Sequence, residues 1–543
     1  ALVKGLDWSE IWNAQIEPEK WLEIYWVIYP NPDQQYDFGT LNARAERALQ
    51  ARKGVRNFMP VEEVGERDSL SGKRAALSDP PQQPRKALRT QWKNLAEALY
   101  KEGIKKKPTD PYSGLSAALS TEGHEYLSAV DMTKRFAQRF CFEPDWGLEG
   151  KFPSTSSIAS AVFRQKLLAD HNLQAARNQF VAGLRSIKGT DGQRLPETLS
   201  KDSLPLLFEK YKGNSLLEYD GELFYPDMYT EKRLKDDFNV PFSETAVIQL
   251  KQNLLNLRAT AAKANINMPP TYYALLLMDG DKMGDHLSKI SDVAGQRDVS
   301  RRLMDFALKK VQKIVEDKYL GRVVYAGGDD LMAFLPLENV LEAAQTLNEA
   351  YRQTLVGGQQ YTASAGIVVA HHLAPLDRVL QAAREAEKMA KGGYGRNSIV
   401  FSILKRSGEQ LDVGAHWDYG KDHPVLPIIQ DVGDYLQSDT VALSPKFAFD
   451  AEQEAAAISK LPTAHEKRLA LLLKRHSKKL ADSDRDRLAA ELAHIGAGIQ
   501  AQFDNAKRRV ADDDAAHTRS GTVELAHWLL LARFLVAAMA GEE

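Results

Sequence analysis

Residues 272–278, Tyr-Tyr-Ala-Leu-Leu-Leu-Met, carry no charge and run straight into Asp279-Gly280-Asp281. So short and apolar a run reads as a strand covered on both faces, the centre of a sheet packed between layers. Its end is the constraint. An unpaired buried carboxylate is costly, so Asp279 and Asp281 must meet a metal, a basic side chain or water at an exposed turn. The same problem recurs downstream, where "RVVYA", Gly327-Gly328-Asp329-Asp330 and "LMAFL" follow one another. Gly-Asp between two β-rich runs is a strong hairpin signal, so a second acidic pair sits at the turn of a neighbouring strand pair.

The surrounding pattern gives these strands a topology. Leu303, Ala307, Val311 and Ile314 recur at helical spacing before the hairpin. After it come a helix around "ENVLEAAQTLNEAYRQTL", the strand "YTASAGIVVA", the amphipathic helix "LDRVLQAAREAEKMAK" and the strand "NSIVF". The order β-α-β-β-α-β is the ferredoxin-like unit, called a palm when it carries nucleotide chemistry. In it the first strand and the hairpin lie side by side. Two to three carboxylates converging there from among Asp279, Asp281, Asp329 and Asp330 would bind Mg²⁺ (or Mn²⁺), which prefers oxygen ligands and often keeps substrate phosphate oxygens in its shell. Paired ions would stabilise the attacking and leaving oxygens of a nucleotidyl transfer. Gly327 and Gly328 lack a Cβ, so a phosphate chain can approach the backbone. Lys388 and Lys391 close a helix; they serve either as favourable charge at its C-terminus or as the positive partner of a triphosphate. Ser364, in "TASAGIVV", reads as a strand residue first and a nucleotide contact second. A tight turn with solvated acids would account for one acidic pair, but less well for two at adjoining strand ends.

The rest of the chain sets the context. At 543 residues it exceeds one ordinary core, and about three or four domains are expected. "EPEKWLEIYWVIYPNPD" predicts an aromatic-rich strand stopped by prolines, and "TLNARAERALQARKGVRNF" a helix. Residues 60–115, rich in Gly, Pro, Lys and Asp, read as an irregular insertion. Residues 157–265 read as mostly helical, interrupted by a hairpin or loop at 216–243, and the chain is helical again from about 445. "HWLLLARFLVAAMAG" is broken by Arg533 and reads as a buried helix rather than a span, and no signal peptide is evident. The single cysteine, Cys141, excludes disulfides within the chain and a cysteine zinc cluster, which fits a cytoplasmic protein. A net charge of −2 points to neither nucleic acid nor membrane, although local basic patches leave RNA open.

The run from Tyr272 to Phe401 resembles the palm domain shared by GGDEF-type nucleotide cyclases and the large subunit of type III CRISPR effector complexes. Leu331 after Gly-Gly-Asp-Asp, where a diguanylate cyclase has Glu-Phe, and the strand end "MDGDKMG" favour the CRISPR subunit. Upstream, "IYWVIYP", "LQARKGVRNF", "SLSGKRAALS", "KFPSTSSIAS" and "YDGELFY" look like the Cmr-type (III-B) variant. The resemblance implies a multidomain α+β protein with two ferredoxin-like palms and helical domains. Its segments would be a degenerate first palm with an insertion at 1–156, a helical domain at 157–265, the catalytic second palm at 266–405, and a linker with a C-terminal helical domain at 406–543.

It implies an activity as well. When guide RNA in the complex pairs with target RNA, the palm condenses ATP into cyclic oligoadenylates. The partners implied are both RNAs and the backbone and small subunits of the complex, with no membrane. Carried over by position, Asp279, Asp329 and Asp330 would hold the metals with help from the Gly280 carbonyl, with Asp281 a further candidate ligand. Gly327 and Gly328 would underlie the phosphates, with Lys388 or Lys391 binding them. No His-Asp dipeptide is present, so the HD nuclease domain of many relatives, and DNA cleavage with it, is not expected from these residues. Asp68-Ser69-Leu70-Ser71 replaces the cysteines of a zinc site, so no zinc is expected. The first palm lacks both acidic motifs. "KFPSTSS" is a capped helix start or a contact to a second nucleotide; "KKKPTD" at 105–110 is a solvated charge run or an RNA contact; His371 and His372 read as solvated strand-end residues. Two alternatives stand beside the cyclase: the same chemistry with another product (an AMP conjugate, as with S-adenosylmethionine, or a dinucleotide), and a nucleotide-binding RNA scaffold without catalysis.

Overall fold

The computed structural model describes residues 6–16, 23–30, 36–55, 63–103, 105, 119, 123–147, 152–199, 203–355, 361–420, 423–437, 442–459, 465–477, 479–509 and 520–541. Of "KKKPTD", only Lys105 falls within them. The chain forms two compact units, one of residues 1–152, 178–198 and 225–257, the other of 153–177, 199–224 and 258–543.

The first unit is helical among the described residues: α1 (Ser9–Ile16), α2 (Phe38–Gly54), α3 (Arg85–Gly103) and α4 (Ala129–Ala137). The α3 helix corrects the irregular reading of 60–115. Leu88, Trp92, Leu95 and Leu99 form a buried stripe on it, and the Trp92 indole stacks on Trp8 and donates to the Leu77 carbonyl at 2.9 Å. The flanking Gly and Pro masked this period. The strand expected at "IYWVIYP" also differs. Residues 23–30 join no strand among the described residues, and Ile24, Trp26 and Ile28 are exposed. Strand propensity measures fit to a half-buried pleated surface, and among the described residues no strand pairs with this segment to make one.

The second unit holds the sheet. Before it come the short helix α5 (Thr155–Ala159) and α6 (Ala161–Ala169). Longer helices at Gln174–Ser186 and Glu244–Lys263, most of each in the first unit, keep 157–265 mostly helical, while 216–243 forms single helical turns and, in the first unit, the helix Glu231–Phe238 instead of a hairpin. The strands are β1 (Tyr272–Gly280), β2 (Arg322–Gly327), β3 (Asp330–Pro336), β4 (Ala363–His371), β5 (Ser398–Leu404) and β6 (Gln410–His416), in the order β2-β3-β1-β4-β5-β6. β1 is antiparallel to both β3 and β4, and the first four strands make the ferredoxin-like unit. β4 and β5 are parallel, which requires a crossover, and β6 then adds antiparallel within the stretch read as a linker.

Helices α7 (Val293–Asp305), α8 (Val340–Thr354) and α9 (Leu376–Gly392) complete the palm, α9 being that crossover. A π-helical turn, Phe306–Val311, prolongs α7. Every residue of β4 and β5 and nearly all of β1 is buried, as expected for strands covered on both faces. Among the described residues five helices follow: α10 (Val425–Gln437), α11 (Lys446–Ile458), α12 (His465–His476), α13 (Asp482–Arg509) and α14 (Gly521–Ala540). Among the described residues α14 is the one helix long and apolar enough to cross a membrane. Its Leu525, Trp528, Leu529 and Leu535 are buried in the core shared with the palm, and it packs on α10, α11, α13 and β6. The expected buried helix is therefore present.

Candidate nucleotide and metal site

The acidic ends meet because of strand register. β1 pairs with β3 so that Met278 faces Leu331, and the Gly280 amide donates to the Asp329 carbonyl at 3.2 Å. The hairpin closes with Gly327 opposite Asp330, leaving Gly328 and Asp329 as the two central residues. Gly328 has φ +69° and Asp329 does not share that sign, the pattern of a type II′ turn with glycine first. A Cβ built on Gly280 would lie 2.3 Å from the Tyr351 hydroxyl and 2.8 Å from the Asp329 Cβ. Only glycine lets the hairpin acid sit against the end of β1. At Gly327 and Gly328 a Cβ would meet nothing within 4 Å, so the outer surface of the turn is open.

The charges are unbalanced. Burial first, then the charges of Asp279 and Asp330, push the Asp329 carboxyl above the usual carboxylate range. Burial raises Asp330 too; the Tyr325 hydroxyl, donating at 3.0 and 3.1 Å, opposes the rise, while Asp279 and Glu387 add to it. Against these stands Lys391 at the end of α9, paired with both Asp279 and Glu387. Burial works against its ammonium, but the bonds to those two acids hold it above its ordinary value. Among the described residues, the carboxylates of Asp279, Asp329, Asp330 and Glu387 therefore stand around the Lys391 ammonium. No group of three or more His, Cys, Asp or Glu residues is arranged as a metal cage among the described residues. The donor set suits Mg²⁺ arriving with a nucleotide, because that ion takes one or two carboxylates and completes its shell with phosphate and water.

The expected residues separate. Asp279, Gly280, Asp329, Asp330 and Lys391 come together, with the Gly327-Gly328 turn beside them. Lys388 is exposed, and Lys391 is the lysine that reaches the aspartates. Asp281 turns inward: it is 3% exposed and accepts from Ser364 Oγ at 2.7 Å, Thr362 Oγ1 at 2.8 Å and the Asn397 amide at 2.8 Å. Ser364 is fully buried, its hydroxyl engaged by Asp281. The "STSS" hydroxyls are likewise engaged. Ser154 caps α5 and donates to Asp220, Thr155 donates to the His372 carbonyl, Ser156 bonds the His372 ring, and Ser157 accepts from the Gly221 amide. That contact, with the sheet beneath it, buries His371 and His372, which the sequence placed in solvent. Two neighbours escaped sequence reading. Glu387 lies one turn before Lys391, a spacing that was visible, whereas Tyr325 announces itself only once β2 and β3 pair; burial and its bond to Asp330 push its hydroxyl up to about 12.

Residues 272–400 match the family model described as Cas10/Cmr2, second palm domain. Over this stretch the chain is similar to that palm. The CRISPR system Cmr subunit Cmr2 of Pyrococcus furiosus is 30% identical to the chain over 238 residues, covering 38% of this chain and 26% of that protein. Among solved structures, the apo type III-B Cmr-beta assembly contains a chain that aligns with a TM-score of 0.50 at 14% identity, over 88% of this chain and 62% of that one. The same assembly bound to cognate target RNA matches with a TM-score of 0.50 at 14% identity, over 86% and 62%. At such identity the structural likeness speaks for the fold. The aligned part spans little more than a quarter of the curated Cmr2, so the sequence likeness is centred on the palm.

Proposed function

We propose that this chain is the large subunit of a type III-B CRISPR effector complex, and that its palm joins ATP into cyclic oligoadenylates when target RNA pairs with guide RNA. The observation that carries the proposal is the meeting of Asp279, Asp329 and Asp330 with Lys391 at one sheet end, inside a domain matched to the Cas10/Cmr2 palm. The partners would be guide and target RNA and the other subunits of the complex.

Bound Mg²⁺ would supply positive charge at the reacting phosphate. Asp279, Asp329 and Asp330 would hold it, assisted by the Gly280 carbonyl. The open Gly327-Gly328 turn leaves room for a phosphate chain, and Lys391 supplies its positive partner. The 3′-hydroxyl of one ATP would attack the α-phosphorus of another: the new O–P bond forms, pyrophosphate leaves and the hydroxyl proton passes to water. No protein base is assigned.

The test incubates the assembled complex with ATP and Mg²⁺, with and without matched target RNA, and identifies products by mass spectrometry. Target-dependent cyclic adenylates are expected. Linear or mixed adenylates would keep the site and replace the product, and no product under any condition would leave a scaffold. Gly280→Ala tests the close approach separately. Because its Cβ overlaps Tyr351 and Asp329, product formation is expected to fall on the order of 100-fold from misplacement of Asp329. Overpacking should cost about 1–3 kcal/mol in a melting experiment. An unchanged rate would mean that the position of Asp329 does not depend on Gly280.

A further inference from the structure

We propose that Glu387 is a resident counter-ion through which Lys391 can release Asp279 to an arriving cation; this rests on the reading of the site given above. The Lys391 ammonium lies between two carboxylates on different elements, Asp279 from the end of β1 and Glu387 at 2.5 Å on the preceding turn of α9. All three side chains are between one-fifth and one-third exposed, so the ammonium is only partly solvated. In this arrangement Lys391 stands where a cation bound to Oδ2 of Asp279 would have to stand.

The ammonium sits on Oδ2 of Asp279, so a cation that takes that oxygen must displace the ammonium. Leaving it without a partner would carry a desolvation cost that opposes metal binding. Glu387 removes that cost. It is four residues from Lys391 on one helix, so the pair persists whatever happens at β1. Lys391 then remains neutralised on one side and presents its other side to phosphate. Glu387 is thus a positioning residue that acts through Lys391 and need not touch substrate or metal.

The rival account is a field effect, in which any nearby negative charge helps a cation bind. A double-mutant cycle separates the two. Mn²⁺ is titrated into the full-length protein without nucleotide, and the free ion is read by electron paramagnetic resonance. Glu387→Gln is expected to weaken Mn²⁺ binding about fivefold, the scale of a partly exposed ion pair. Lys391→Met should strengthen it by a similar factor, and the double variant should bind like Lys391→Met alone. An equal effect of Glu387→Gln in both backgrounds, or none in either, would overturn the exchange. Asp279→Asn tests the underlying reading independently. If Mn²⁺ binding survives that change, both the site and the exchange fall. If it is lost while the cycle is additive, only the exchange falls. Thermal melts of each variant verify that the fold is kept.

Discussion

Replacing Asp329 and Asp330 together by asparagine is expected to abolish ATP-dependent product formation, by on the order of 10³-fold or more, without lowering the melting temperature at neutral pH. The activity loss follows from removing two proposed metal ligands, whose ion would contribute several kcal/mol of charge stabilisation. The stability result follows from the sign of the pKa shifts. Burial, with like charge nearby, raises both carboxyls in the folded protein. A group whose folded pKa exceeds its unfolded value is bound to its proton more tightly when folded. Its contribution to stability therefore falls as pH rises from the unfolded value through the folded one, and near pH 7 the charged form carries the whole cost. Asparagine removes that cost at pH 7 and changes little at about pH 3, where the wild-type carboxyls are protonated. Melts at both pH values, run beside the product assay, give the check. A marked loss of stability at pH 7 would mean that the turn needs its carboxylates to fold, and the lost activity would then say nothing about metal.

What could be read from the sequence was whatever depends on near neighbours. The apolar run of β1, the Gly-Asp turn and the helical period of α9 are local patterns, and they brought Asp279, Asp329, Asp330 and Lys391 to one place once the palm order was assumed. Composition misled where it overrode period, as at α3, whose Leu88-Trp92-Leu95-Leu99 stripe lies beside Gly- and Pro-rich stretches. Contacts distant in sequence were invisible. Nothing near His372 shows that Ser156, 216 residues away, will bury it. Nothing in Asp279-Gly280-Asp281 distinguishes the first acid from the second, because the partners of Asp281 lie 81 to 116 residues downstream.

That difference gives the second large effect. Asp281→Ala is expected to destabilise the fold by about 3 kcal/mol or more, because it strips three buried or part-buried donors of their acceptor at about 1–3 kcal/mol each. One of those donors matters beyond its own bond. Gly395, Arg396 and Asn397 are successive left-handed residues, with φ of 81°, 71° and 50°, joining α9 to β5. Such backbone is unfavourable for residues other than glycine and persists only where its surroundings hold it. The carboxylate of Asp281 holds it at the Asn397 amide. Releasing that loop frees the end of α9, where Lys391 sits, so activity should fall together with stability. Asp281→Asn keeps one acceptor oxygen and should lie between wild type and alanine in a denaturant melt. Had Asp281 been a metal ligand, its removal would resemble that of Asp329 and Asp330, with activity lost and the melt unmoved. A melting curve of the alanine variant that overlays the wild type would return Asp281 to the ligand set. A shifted curve assigns it to the scaffold, two residues along the chain from an acid proposed to hold the metal.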